Sequence, residues 1–264
     1  MGTVIAITNQ KGGVAKTTTA HNLGVALSML GKKVLMIDLD SQASLTICAG
    51  IEPQDTAENS IVSVLKDEKE NVKNIKDCIH KTNNENLYIV PSIIDLADLE
   101  WRMFARTSRE KILARAIEPI RKNYDFIIID CPPQLSILTI NALSCADGIL
   151  IPVKTDYLAF RGVKDLENTI KDVREYINPN IQIYGVIATL FEKRSKDDTE
   201  VLTMLCREYK VIGIVKKMVL AKKGVYDGMA VVELAPNTDI ATAYMDVAKM
   251  IVAGKYRKVV GVNE

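Results

Sequence analysis

Residues 9–19 read NQKGGVAKTTT and carry two lysines, Lys11 and Lys16, with Gly12 and Gly13 between them. The stretch follows a strand-like run, TVIAIT, and opens a helix-like one. In that order, successive backbone N–H groups and the helix N-terminus face one point, which makes an anion site. Lys16 is placed to reach the β- and γ-phosphates of a nucleotide, and the Thr17 hydroxyl to ligate Mg²⁺. Gly12 and Gly13 let the backbone approach the phosphates closely, and Val14, Ala15 and Thr18 complete the wrap. One lysine is enough to hold a phosphate chain, so Lys11 needs a separate explanation.

Two further segments offer acidic chemistry. Asp38 and Asp40 lie at the end of VLMIDLD, and Asp130 closes FIIID. In open α/β sheets ligands bind at the carboxyl edge, where these carboxylates fall. Phosphoryl transfer asks mainly for positioning and charge neutralisation, so lysines, one metal and one water-orienting carboxylate suffice.

The elements that must hold these groups are legible in the pattern. Runs at 4–8, 33–37, 87–90, 125–129, 148–153, 183–188 and 211–215 read as strands, most of them apolar nearly throughout. That suits parallel strands covered on both faces. Helical patterns alternate with them at 16–30, 96–117, 136–145, 158–176, 198–209 and 239–252. The alternation predicts one doubly wound, mostly parallel α/β domain over 1–264, flanked by helices. Residues 52–86, rich in charge, read as solvated helices and loops on the periphery.

Composition fits this expectation. Of 264 residues, 48% are hydrophobic and 25% charged, enough for a substantial core. The formal net charge of +1 gives no bulk attraction to a polyanion, so nucleic-acid binding needs a local patch. None of the five cysteines forms a C-x-x-C pair, and they read as reduced core thiols. With no signal-like start and no apolar run of ~20 residues, a reducing cytoplasm is the expected location.

KGGVAKTTT matches KGGxxK[ST][ST], and with VLMIDLDSQ, YDFIIIDCPP and ADGILIPVKTDYLAFRGV the chain resembles the deviant Walker A ATPases of the ParA/MinD family. The likeness spans about residues 3–252 and is nearest the ParA/Soj branch of chromosome and plasmid partition. The resemblance implies that Lys11 is the signature lysine, reaching across a two-fold interface to ATP held by the other subunit of a homodimer. At an effective dielectric of ~20, a lysine ~4 Å from a phosphate charge contributes about 4 kcal/mol, so ATP would favour the dimer by its differential affinity. It further implies that Asp40 activates the attacking water, that Asp38 supports the Mg²⁺ shell, and that Asp130 is the Walker B carboxylate. Pro132 and Pro133 would stiffen the loop sensing the γ-phosphate.

The chain departs from the family at Ala15, where a glycine is usual before the P-loop lysine. Ser41, Ala43 and Ser44 stand in place of Pro, Gly and Asn in DPQGN, and Gln134 and Ser136 in place of Ser and Gly in PPSLG. The last five lie in the two switch segments and put stimulation and timing in question, whereas Ala15 costs roughly 1 kcal/mol if its position needs positive φ.

Residues 193–223 hold nine basic and four acidic side chains. By resemblance this region binds double-stranded DNA without sequence preference, with Arg194, Lys216, Lys217, Lys222 and Lys223 as the expected contacts. Contacts of this kind go to phosphates and weaken with salt. A ParB-like centromere-binding partner would stimulate hydrolysis, placing the protein on the nucleoid. Two rival readings stay open. A MinD-like membrane ATPase needs a C-terminal amphipathic helix, but KYRKVVGVNE offers only Val259, Val260 and Val262 as apolar partners. A weakly hydrolysing scaffold would use ATP as a structural ligand. The missing cysteine pairs argue against the cluster-carrying iron–sulfur relatives.

Overall fold

A computed structural model describes residues 1–66, 72–217 and 228–256. Eight strands form one sheet: β1 (Thr3–Ile7), β2 (Val34–Asp38), β3 (His80–Lys81), β4 (Leu87–Val90), β5 (Phe126–Asp130), β6 (Gly148–Lys154), β7 (Gln182–Phe191) and β8 (Val211–Lys216). Their order is β3-β4-β2-β5-β1-β6-β7-β8. All neighbours pair in parallel except β3 with β4.

The apolar strands behave as their composition demands, with alternate residues feeding two separate cores. Val4, Leu35, Ile37, Ile127 and Ile129 enter one. Ile5, Ile7, Met36 and Ile128 enter the other. Helix α1 (Lys16–Met29) packs on the second face, burying Ala20, Leu23 and Leu27. α2 (Ser44–Cys48) adds Leu45 to that face. α3 (Ile61–Leu65), α4 (Leu96–Met103), α5 (Ile112–Ile117), α6 (Ile137–Cys145), α7 (Tyr157–Tyr176) and α8 (Lys196–Glu208) cover the first face. Short α9 (Val231–Leu234) and α10 (Asp239–Val252) return to α1, where Tyr244 is fully buried and its hydroxyl lies 3.2 Å from Thr19 Oγ1.

Two expectations are corrected. The helix expected at 96–117 is two, α4 and α5, joined through a 3-10 turn at Arg109–Lys111. Ser108 takes a left-handed conformation at the break, φ 51°, and Thr-Ser pairs favour such local turns over helix interiors. Met103, Ile112 and Leu113 keep the buried stripe going across it, which is why the periodicity looked continuous. The segment 52–86 is also less peripheral than its charge suggested. Ile61, Val62, Val64 and Leu65 of α3 are all buried, and β3 extends the sheet by one antiparallel strand.

Candidate functional site

The chain places its chemistry on one sheet edge because β1, β2 and β5 end together. Ile7 is level with Asp130, and Asp130 with Asp38. The glycine loop leaves β1 at that edge and is tied down from both sides. Asn9, buried, donates from Nδ2 to the Pro152 carbonyl (2.7 Å) and accepts the Lys11 N–H at Oδ1 (3.0 Å). Thr189 of β7 donates from Oγ1 to the Val14 carbonyl (3.0 Å). Gly13 has φ 71°, and no atom lies within 4 Å of where a Cβ on Gly12 or Gly13 would stand. The two glycines thus supply one left-handed bend and a bare backbone face.

Lys16 is the first residue of α1 and is buried. Its Nζ donates to the Lys11 carbonyl at 3.0 Å. Burial pulls its pKa down, and Asp130, Cys131 and Asp40 push back. Lys11, in contrast, is exposed. The two lysines of the motif therefore differ in exposure, one buried and one in solvent.

Asp130 is the site's most informative group. It is 1% exposed, and no hydrogen bond closes on either carboxylate oxygen among the described residues. Burial lifts its pKa well above the ordinary value, the neighbouring Asp38 adds to the lift, and the Thr17 hydroxyl and Lys16 only partly oppose it. A buried carboxylate on which no full hydrogen bond closes is costly unless a cation completes it. With Thr17 beside it, this donor set fits Mg²⁺, which binds through one or two protein oxygens and otherwise through water and phosphate.

Asp38 is differently employed. One oxygen accepts the Thr46 N–H (2.9 Å) and hydroxyl (2.8 Å), and the other the Asp40 N–H (3.1 Å). Burial raises its pKa to about 6 against these bonds. The carboxylate thus fixes the loop that carries Asp40, whose own Oδ1 accepts the Gln42 N–H at 3.0 Å. Thr46 passes the connection on by accepting the Ser92 N–H at 2.9 Å. Asn9, Thr46 and Thr189 escaped the sequence reading, because isolated Asn and Thr residues carry no local signal of what they will brace.

The folded-state pKa values of both Asp38 and Asp130 lie above the unfolded ones. Their stabilising contribution is complete below the ordinary value of 3.8 and is lost as pH rises, for Asp38 through about 6. His21, buried on α1 with its pKa lowered to about 4, works oppositely, contributing above 6.5 and losing it as pH falls through about 4. Asp130→Asn accordingly stabilises the metal-free protein at pH 8, by about 1–3 kcal/mol for relief of an unpaired buried group. It also abolishes any Mg²⁺ enhancement of nucleotide binding. Urea unfolding without Mg²⁺ checks the first and ATP titration with and without Mg²⁺ the second; a destabilised variant, or a preserved Mg²⁺ enhancement, contradicts the assignment.

The residue that replaces the usual glycine, Ala15, sits at φ 64°, ψ 37°. Ala43, a second glycine replacement, sits at φ 52°. L-residues are disfavoured there by roughly 1 kcal/mol. Ala15→Gly is expected to raise the urea midpoint, corresponding to about 0.5–1 kcal/mol, without loss of nucleotide affinity; a lower midpoint refutes strain at this position.

The basic region is partly neutralised. Lys217 pairs with Glu192 at 2.6 Å, and Lys216 with Asp239. Both acids lie outside the 193–223 window, so counting charge along the chain missed them. Lys222 and Lys223 lie outside the described residues. Arg194 makes no ion pair among the described residues, and with Lys193, Ser195 and Lys196 it lines a shallow concavity of about 300 Å³. Most of the tail, 257–264, also lies outside the described residues. Among the described residues no helix is long and apolar enough to cross a membrane.

Strand, glycine loop, helix-initial lysine and acidic strand ends together define a P-loop ATPase. Comparison with known proteins makes the class specific. A family model described as AAA domain matches residues 2–183. The sporulation initiation inhibitor protein Soj of Bacillus subtilis is 38% identical over 256 residues, covering 96% of this chain and 99% of that one. The chromosome partitioning protein ParA of Myxococcus xanthus is 38% identical over 195 residues, 74% of this chain and 67% of that one. Among solved structures, a cobyrinic acid a,c-diamide synthase from Mycobacterium smegmatis with bound ADP and magnesium superposes over 100% of both chains, with TM-score 0.83 and 31% identity. A putative plasmid partition protein from Borrelia burgdorferi bound to AMPPNP covers 96% of this chain and 100% of its own, with TM-score 0.80 and 26% identity. The chain belongs to the ParA/MinD/Soj superfamily of deviant Walker A ATPases, on its ParA/Soj partition branch.

Proposed function

We propose that this protein is a DNA-partition ATPase that dimerises around ATP and Mg²⁺. The observation that supports this reading is the contrast between the lysines: Lys16 is buried with its Nζ on the Lys11 carbonyl, while the Lys11 side chain is exposed. In this scheme Lys16 and the loop amides of Gly12 to Thr18 bind the phosphates. Thr17 and Asp130 hold Mg²⁺, which neutralises phosphate charge and fixes the leaving group. Asp38 braces the loop that presents Asp40 to the attacking water, and Lys11 meets the partner's nucleotide. The assembled dimer holds double-stranded DNA through Arg194 and other basic residues of the 193–223 stretch, Lys222 and Lys223 among them. A centromere-bound, ParB-like partner then accelerates hydrolysis and release.

Doubling a weak patch by dimerisation ties DNA affinity to ATP, since each phosphate contact adds to the salt-dependent attraction. The test is sedimentation in ATP and in ADP. ATP drives the native chain, but not Lys11→Ala, into dimers; an ATP-driven dimer of Lys11→Ala overturns the reading. Arg194→Glu is expected to dimerise normally and to lose DNA retention by tenfold or more. Retention equal to the native chain moves the DNA surface elsewhere.

A further inference from the structure

Lys11 has a defined resting place. Its backbone is pinned twice, by its N–H donating to Asn9 Oδ1 and its carbonyl accepting from Lys16 Nζ. Freedom is therefore confined to the side chain, which lies back over α7. A Cβ built on Gly162 would stand 3.6 Å from Lys11 Cγ and 4.0 Å from Cε, with no other described atom outside the helix's own backbone within 4 Å. Gly162 lies in the second turn of a 20-residue helix whose start is fixed by Asp156 accepting the Ala159 N–H at 2.8 Å. Glycine weakens a helix interior, and this one has φ outside the left-handed range. Backbone conformation does not require it; a Cβ there would come into ordinary contact with Lys11, and anything longer would meet its side chain. Lys11 makes no ion pair among the described residues. The Lys11 methylenes therefore face Gly162 with no ion pair fixing the ammonium, which a phosphate charge can attract.

We propose that Gly162 is a positioning residue, forming the shallow groove in which Lys11 rests on α7 and from which it is released to the partner's nucleotide. The inference rests on the reading of Lys11 as acting across the dimer. A side chain at 162 sets how strongly Lys11 is held. A carboxylate there would pair with the ammonium and keep it in its own protomer, whereas an uncharged side chain of equal size would not.

Gly162→Glu, Gly162→Gln, Gly162→Ala and Lys11→Ala are compared by protomer affinity for a fluorescent ATP analogue and by ATP-driven dimerisation in sedimentation. Gly162→Ala, whose added Cβ meets Lys11 only at ordinary contact distance, serves as the folding control. Gly162→Glu is expected to keep protomer affinity within about twofold while dimerising at least tenfold more weakly, with the deficit shrinking at ~0.5 M salt. Gly162→Gln is expected to dimerise within about threefold of the native chain. In the Lys11→Ala background, Gly162→Glu adds no further loss, because both changes act through one side chain. Equal loss in Gly162→Glu and Gly162→Gln, or native dimerisation of Gly162→Glu, overturns the proposal. If Lys11→Ala itself dimerises normally, the underlying reading fails instead.

Discussion

Lys16→Ala is expected to lower ATP affinity by about a thousandfold. The ammonium stands at the first position of α1, buried against the loop, with Asp130, Cys131 and Asp40 as its electrostatic surroundings. About 4 kcal/mol of attraction at an effective dielectric of ~20 converts to roughly three decades of affinity. No neighbour replaces it, since Lys11 points its chain over α7. The fold survives the change. Burial already depresses the pKa of Lys16, so its charge is held at a cost, and the bond lost is a single one to the Lys11 carbonyl. Calorimetric titration with ATP, with a thermal melt as control, reads both. Affinity within tenfold of native refutes the phosphate-loop assignment.

Asp40→Ala is expected to slow ATP turnover by about a hundredfold to ten-thousandfold, the usual range for losing a positioned proton-transfer group, and to leave ATP affinity within a few-fold. The separation follows from the hydrogen bonds. The loop is held through the backbone N–H of Asp40 and through Thr46, both on Asp38, and these bonds do not need the Asp40 carboxylate. Truncation removes one turn bond from Gln42 and leaves the loop in place. The variant is expected to accumulate as an ATP-held dimer. Phosphate release measured beside sedimentation distinguishes the cases; unchanged turnover removes Asp40 from chemistry, and loss of ATP binding makes it structural.

How far the sequence reached depended on how local each cause was. β1, β2 and β5 were legible because strands covered on both faces must be apolar throughout, and the carboxylates ending them stood out against that background. The loop was legible because phosphate binding needs glycine, lysine and hydroxyl in a fixed order. Ala15 was recognisable as a strained position only because a glycine was expected there, and its φ of 64° bears that out. The break between α4 and α5 was hidden, since the apolar period runs on through Ser108 while the backbone does not. The pairing of Lys216 with Asp239 and Lys217 with Glu192 could not be read from a charge count, because the acids arrive from other segments. The contact of Lys11 with Gly162 was equally invisible: 151 positions separate them, and only the packing of α7 beside the loop brings them together.

The central claim is that nucleotide state governs DNA binding. It is tested most directly by retention of the protein on random-sequence duplex DNA without nucleotide, with ADP, and with ATP plus Mg²⁺, each at low and high salt. The account predicts retention with ATP alone, weakened steeply by salt. Equal retention in all three states, or none in any, contradicts it.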